Sequence, residues 1–165
     1  MVGDNRNMAD NYIEAVKTFR RGPDILDEAL SGVTEEEYRY VPAPGKWTIR
    51  QIARHLTDTE IVVGMRLRQM IAEERPLMAL FDQDLWADRL AYNDCDVFAS
   101  AALFRVLRDD MANILENLPE GAFARVGLHP ERGAGTLGEW VERFGTHVQK
   151  HAGQIARIRA QWAGR

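Results

Sequence analysis

Apolar residues recur every three or four positions in four long stretches of the chain, whereas alternating runs of β-branched residues bounded by turns are nearly absent. The first stretch runs from about Ala9 to Leu30 and carries Ile13, Val16, Phe19, Leu26 and Leu30. Gly22-Pro23 interrupts it, and proline there kinks or restarts the helix because it lacks a backbone donor and crowds the preceding turn. The linker from Val41 to Gly45 holds two prolines and is not helical. Thr48 and Gln51 then form a capping box for a second helix, predicted from about Ile49 to Glu74 and ending before Pro76. An irregular stretch from Leu77 to Asp94 has room for one short helix around Asp84 to Leu90. A third helix, from about Asp96 to Leu118, carries Val97, Ala101, Phe104, Met111, Leu115 and Leu118, with Pro119 after it. Glycines and a proline make Gly121 to Gly135 read as a loop, after which Thr136 and Glu139 open a fourth helix running to about Trp162. Amphipathic helices of this length bury their apolar stripes only against one another, so the expected fold is an all-α four-helix bundle.

The chain has 165 residues, and they suit a single domain spanning 1–165 that buries about two thirds of its unfolded surface. No repeat of fixed period appears, which argues against a solenoid. The single cysteine, Cys95, has no partner for an intramolecular bridge and reads as a small, partly buried side chain in a reducing compartment. No apolar run approaches the roughly 18 residues of a membrane span, so a soluble, cytoplasmic protein without a membrane partner is expected. A net charge of −4 argues against a general nucleic-acid surface. Local basic pairs such as Arg50 with Arg54, or Arg157 with Arg159, read as solvated helix faces.

The chemistry concentrates in histidines. His147 and His151 lie four residues apart on the fourth helix, which sets their side chains about 40° apart around the axis and one turn apart along it. Trp140, Phe144, Ile155, Ile158 and Trp162 share that side, so both imidazoles face the bundle interior. A buried neutral imidazole needs partners for its ring nitrogens, and two in one apolar stripe invite a shared ligand. His55 sits at the edge of the stripe formed by Ile52, Leu56, Val62 and Val63 on the second helix, where a third ligand fits. Spacing alone leaves open whether each ring is a hydrogen-bonded core residue or a metal ligand, and it does not bring His55 to the pair.

Gly45-Lys46-Trp47-Thr48, followed by Gln51 and by His55-Leu56-Thr57-Asp58-Thr59, resembles the G-K/G-W-[ST]-x-x-[EQ]-x-x-x-H-[LV]-x-D-[ST] signature of the DinB-like superfamily. Phe81-Asp82-Gln83-Asp84-Leu85-Trp86-Ala87 is similar to a stretch of its YfiT-like branch, and His147 through Ile155 resembles that branch's closing H-x-x-x-H-x-x-x-I. Lys150 stands where many members of the branch carry a further histidine. The resemblance implies a four-helix bundle, often a homodimer, with one zinc or nickel ion held by His55, His147 and His151. His129, in the Gly/Pro-rich loop, is expected to stay away from the metal.

Three neutral histidines leave a divalent ion's charge uncompensated and a coordination position open, which is the pattern of catalytic zinc. Such an ion lowers the pKa of bound water to about 7 for hydrolysis, and the same acidity holds a low-molecular-weight thiol as thiolate for transfer to an electrophile. Two enzyme readings follow, a metal-dependent hydrolase and a thiol S-transferase acting on a small molecule. A noncatalytic, stress-linked metal-binding module is the alternative. Asp58, three positions after His55, is the candidate catalytic residue, as a base or as an orienting partner of a ligand. Gln154 is placed similarly beside His151, and Asp82, Asp84 and Trp86 lie in the stretch that can cover the bundle mouth or simply cap and pack the short helix. Arg66 is another candidate for contacting an anionic substrate, with an ordinary solvated arginine the preferred reading.

Overall fold

The computed structural model describes the backbone of residues 4–165 and the side chains of residues 12–165. The order is α1 (Asp4–Arg20), α2 (Gly22–Leu30), α3 (Glu35–Arg39), α4 (Ile49–Ala72), α5 (Gln83–Arg89), α6 (Val97–Glu116), β1 (Val126–His129), β2 (Gly133–Thr136) and α7 (Leu137–Ala163). Helices α1 and α2 together make the first leg, broken where Pro23 occupies the first turn of α2. The other legs are α4, α6 and α7. Helix α4 packs on α6 and α7, and the first leg packs on the same two, so α4 and the first leg face each other across the bundle. This four-helix arrangement agrees with the expected class, and no described helix is long and apolar enough to cross a membrane.

Local sequence sets the helix starts. Thr48 accepts from Gln51 N–H while Gln51 returns a bond to Thr48 N–H, and Thr136 with Glu139 does the same at α7. Asp96 and Asp82 cap α6 and α5 through their side chains. A third box, Thr34 with Glu37, opens α3, a helix the hydrophobic period does not reveal. Two apolar clusters stack along the bundle. One gathers Phe19, Leu67, Met70, Met111 and Val141, and the other Leu26, Ile52, Leu56, Phe104 and Ile155. Gly145 lets α7 close on α1, because a Cβ there would lie 3.1 Å from the Phe19 backbone nitrogen. Ile13, expected in the core, is instead 53% exposed.

The stretch from Gly121 to Gly135 is not a plain loop. It holds a 3-10 turn (Glu120–Ala124) and the antiparallel hairpin β1–β2, in which His129 pairs with Gly133. Gly133 closes the turn at φ +77°, a conformation that favours glycine. The hairpin has an outer neighbour: Leu128 N–H donates to Pro76 O at 2.9 Å and Met78 N–H to Leu128 O at 2.8 Å. That pairing lays residues 76–78 along β1, and the chain then continues through Leu80 and Phe81 across the side of the bundle where α4 meets α7.

Candidate metal centre

Between α4 and α7 the structure brings together the three histidines that the sequence singles out. Their nearest ring nitrogens all lie within 4.8 Å of one another. The rings are 4.6 Å (His147 to His151), 4.9 Å (His55 to His151) and 5.6 Å (His55 to His147) apart between centroids. His55 is buried and the other two are half-buried. Trp47 packs on the His55 ring at 4.8 Å, and the Thr59 hydroxyl lies 3.4 Å from both of its nitrogens. The tryptophan of the Gly-Lys-Trp-Thr segment is therefore a wall of the site.

Gln154 sets the tautomer of His151. Its Oε1 lies 3.1 Å from Nδ1 and, as an amide oxygen, accepts that ring's proton, which leaves Nε2 as a lone pair. His151 Nε2 faces His147 Nε2 at 3.1 Å. That contact is a hydrogen bond if His147 carries its proton on Nε2, and a cation site if both nitrogens present lone pairs. Zinc–nitrogen bonds of 2.0–2.1 Å put two nitrogens about 2.9 Å apart at a right angle and about 3.3 Å apart at a tetrahedral one, and the observed 3.1 Å falls between. Burial, then the neighbouring His151 ring, pushes His55 and His147 down to about 3. His151 is lowered as well, by burial, with the Gln154 bond acting against it. Neutral rings offer lone pairs at neutral pH without displacing protons, so the donor set fits a borderline divalent ion such as zinc or nickel.

The rings open onto a cleft of about 180 Å³, lined by His55 and His147 and also by Arg66, His129, Arg143 and Lys150. Gln83 and Phe81, from the segment crossing the bundle, line its rim. On the other side, His151 and Gln154 border a shallow hollow with Trp47 and Asp84. Asp82 caps α5, accepting from Leu85 N–H at 2.9 Å, and Trp86 packs on Phe81 at 4.8 Å.

The structure does not bring Asp58 to the imidazoles. Its buried carboxylate takes Arg54 Nη2 at 2.8 Å and Arg54 Nε at 3.3 Å, beside the Tyr92 phenol, which burial and then Asp58 push upward. His55 is shifted by burial and by the two other rings, with no contribution from Asp58. His129, by contrast, joins the cleft without joining the three-ring cluster: it stacks on Trp140 at 5.3 Å, and its Nδ1 accepts from Glu131 N–H at 3.2 Å. Its place depends on the hairpin register, for which the sequence carries no periodic signal. Cys95 is half-buried with its thiol pushed up by burial, and Arg50 is buried against Glu35 at 2.6 Å rather than solvated.

The profile of the DinB superfamily matches residues 18–155, and the chain belongs to that superfamily. A protein of Oceanobacillus iheyensis described as a candidate metal-dependent hydrolase is 27% identical over 142 residues, covering 85% of this chain and 82% of its own. A Bacillus licheniformis protein of the same description is 28% identical over 142 residues, covering 86% and 80%. The solved structure of YfiT from Bacillus subtilis, titled as a metal-dependent hydrolase candidate with an unusual four-helix bundle topology, superposes with a TM-score of 0.86. It shares 22% identity and covers 92% of this chain and 87% of that one. That likeness establishes the fold.

Proposed function

We propose that the chain is a metal-dependent hydrolase of a small molecule and that His55, His147 and His151 hold its one divalent ion. The observation that carries this reading is the convergence of three ring nitrogens within 4.8 Å at the edge of a cleft. The descriptions of its relatives as metal-dependent hydrolases support the reaction class. A bound zinc or nickel ion would supply Lewis acidity there, lowering the pKa of a coordinated water and polarising an ester or amide carbonyl.

The chain's own residues perform the rest. Gln154 holds the His151 proton on Nδ1 and so keeps Nε2 directed at the site. Trp47 and Thr59 restrict the His55 ring on two sides. No carboxylate stands with the three rings among the described residues, so the ligand set adds no negative charge to offset that of an ion. Phe81, Trp140 and Phe144 supply apolar surface to the cleft beside its polar groups.

Metal analysis of protein made without a histidine tag should find about one equivalent of zinc or nickel per chain. Cellular supply decides between them, since affinity alone favours nickel. A panel of esters and amides should show turnover that a chelator removes and added metal restores. Full activity in metal-free protein overturns the reading. Turnover that requires an added thiol replaces hydrolysis by S-transfer, and bound metal with no turnover on either panel leaves a noncatalytic module. Pairing as a homodimer belongs to the same proposal, on the exposed Phe98 (74%) and Val106 (65%) of α6. Sedimentation showing only monomer at micromolar concentration removes it.

A further inference from the structure

Three arginines among the described residues are more than nine-tenths buried: Arg50, Arg66 and Arg108. Each leaves its Nε without an acceptor, so that feature does not separate them. Their carboxylate partners do. Arg50 has Glu35 at 2.6 Å and Arg108 has Glu60 at 2.6 Å, whereas no acidic partner for Arg66 exists among the described residues. Its protein bond is from Nη2–H to Ala79 O, and its side chain lines the cleft beside the three histidines. Burial pulls its pKa down, the expected consequence of a desolvated guanidinium without a counter-charge.

Its surroundings do not supply the missing charge. Arg132, Arg143 and Lys150 line the same cleft, with no carboxylate within ion-pair distance among the described residues, and Glu131 is the one acid in the lining. The chain as a whole carries a net −4, so this wall runs against the overall balance. His129 accepts at Nδ1 and therefore carries its proton on Nε2 in its neutral form, as a donor. Burial, followed by the charges of Arg66 and Arg132, lowers its pKa, with Glu131 acting against them. The Trp140 indole N–H, also in the lining, is buried without an acceptor.

An unpaired buried cation is costly, and cationic donors gathered on one cleft wall are stabilised by an oxyanion, above all one that a guanidinium can hold with two bonds. We propose that the wall formed by Arg66, Arg143, Lys150 and His129 is an oxyanion subsite, and that the substrate is a small molecule bearing a carboxylate or phosphate group. This deepens the metal-centre reading and rests on it only for what happens at the substrate's other end.

The test uses the full chain stripped of metal, titrated by calorimetry at low salt with inorganic phosphate and, separately, with acetate. Saturable binding of at least one is expected, and the preferred probe assigns the anion as phosphate or carboxylate. Arg66→Gln should weaken it by about 10-fold or more, as loss of a charge-assisted pair does, and Arg143→Gln by about 2- to 5-fold at the solvated rim. Arg105→Gln removes the same charge from an exposed pair with Asp24 and Asp27 and should change nothing. Circular dichroism checks folding. If Arg66→Gln does not fold, the exposed double variant Arg143→Gln with Lys150→Gln carries the test with the same expected loss. No saturable binding of either anion, or equal binding in the folded variants, overturns the subsite. Metal content is read separately: His147→Ala protein that still binds the anion keeps the subsite, whatever its metal content says of the metal centre.

Discussion

Helix α4 carries buried polar side chains on two fronts. Toward α6, Glu60 meets Arg108 at 2.6 Å, both residues at most 2% exposed, and Arg108 also donates to Phe19 O at 2.9 Å while lying over the Phe19 ring at 3.8 Å. Toward α7, His55 meets two more imidazoles and Arg66 lies in the same cleft, with neither an anion for the arginine nor a carboxylate for the rings. The first cluster is paired: its charges face each other and its guanidinium stacks on aromatic faces, while Glu60 Oε1 and Arg108 Nε are left without partners. The second is open, electron-pair donors on one side and cationic donors on the other. Burial costs both clusters desolvation energy, and only in the first does an opposite charge within the chain offset part of it. The proposed metal ion and anion are what would complete the second.

The largest effect that separates the two regions is the response to losing one member. His147→Ala should lower bound metal from about one equivalent per chain to near zero, because one of three ligands is gone. Metal content by mass spectrometry checks it, and an unchanged content would mean that the open cluster is a hydrogen-bonded core after all. The fold should survive, since a half-buried imidazole leaves no charge stranded.

Breaking the paired cluster should do the reverse. Glu60→Gln strands the Arg108 charge and should cost about 3–5 kcal/mol of stability in urea unfolding, while metal content in the folded protein stays the same. Replacing both partners, Glu60→Gln with Arg108→Met, should recover much of that loss. A Glu60→Gln change worth less than about 1 kcal/mol would place the pair in the class of solvated ion pairs, against its burial.

Acid sharpens the contrast by sign. His55 and His147 sit at about 3 in the folded chain, below the unfolded imidazole near 6.5, so the unfolded state binds more protons between those limits. Metal-free protein should therefore lose stability as pH falls from about 6.5 toward 3, at up to about 1.4 kcal/mol per pH unit for each such ring. Glu60 moves the other way: burial raises its carboxyl, so its contribution is present below the unfolded value and is lost as pH rises. Urea unfolding across pH 4 to 6.5 in the wild type and His55→Gln should show a shallower slope in the variant. Parallel slopes would contradict neutral buried rings.

What was legible in the sequence followed from local causes. Capping boxes at Thr48 and Thr136 act within four residues, and the period of α4, α6 and α7 extends over many turns, so helix starts and bundle class could be read directly. The ligand pair on α7 lies on one helix and could be read likewise, whereas the approach of His55 needed a resemblance to suggest it and the packing of α4 on α7 to show it. Helix α3, five residues long, is too short to display a period. The hairpin is four residues per strand and rich in glycine, and its register depends on residues 76–78 arriving from elsewhere, so His129 had no local signal. The unpaired state of Arg66 is the least legible feature, because the absence of a partner is a property of the whole neighbourhood.

Asp58 is where spacing and observed contacts part most, and it yields the smallest expected effect. Three residues after His55, it has the spacing of an orienting partner, yet its carboxylate is held by two Arg54 nitrogens and lies beside Tyr92. A partner of a ligand must touch the ring, and no bond joins Asp58 to any of the three imidazoles. Asp58→Asn should then leave metal content unchanged and alter turnover by less than about 3-fold, well short of the 10- to 100-fold that loss of a ligand's orienting partner brings. The change should instead appear in stability, at about 1–3 kcal/mol, since the amide keeps one acceptor for Arg54 but loses the second and the charge. Gln154→Ala supplies the comparison at the other ligand. It removes the one side chain seen to fix a ring's tautomer, so metal affinity should fall by about 10-fold with stability nearly unchanged. If Asp58→Asn lost metal and Gln154→Ala did not, the open and paired regions would have to be redrawn with Asp58 on the open side.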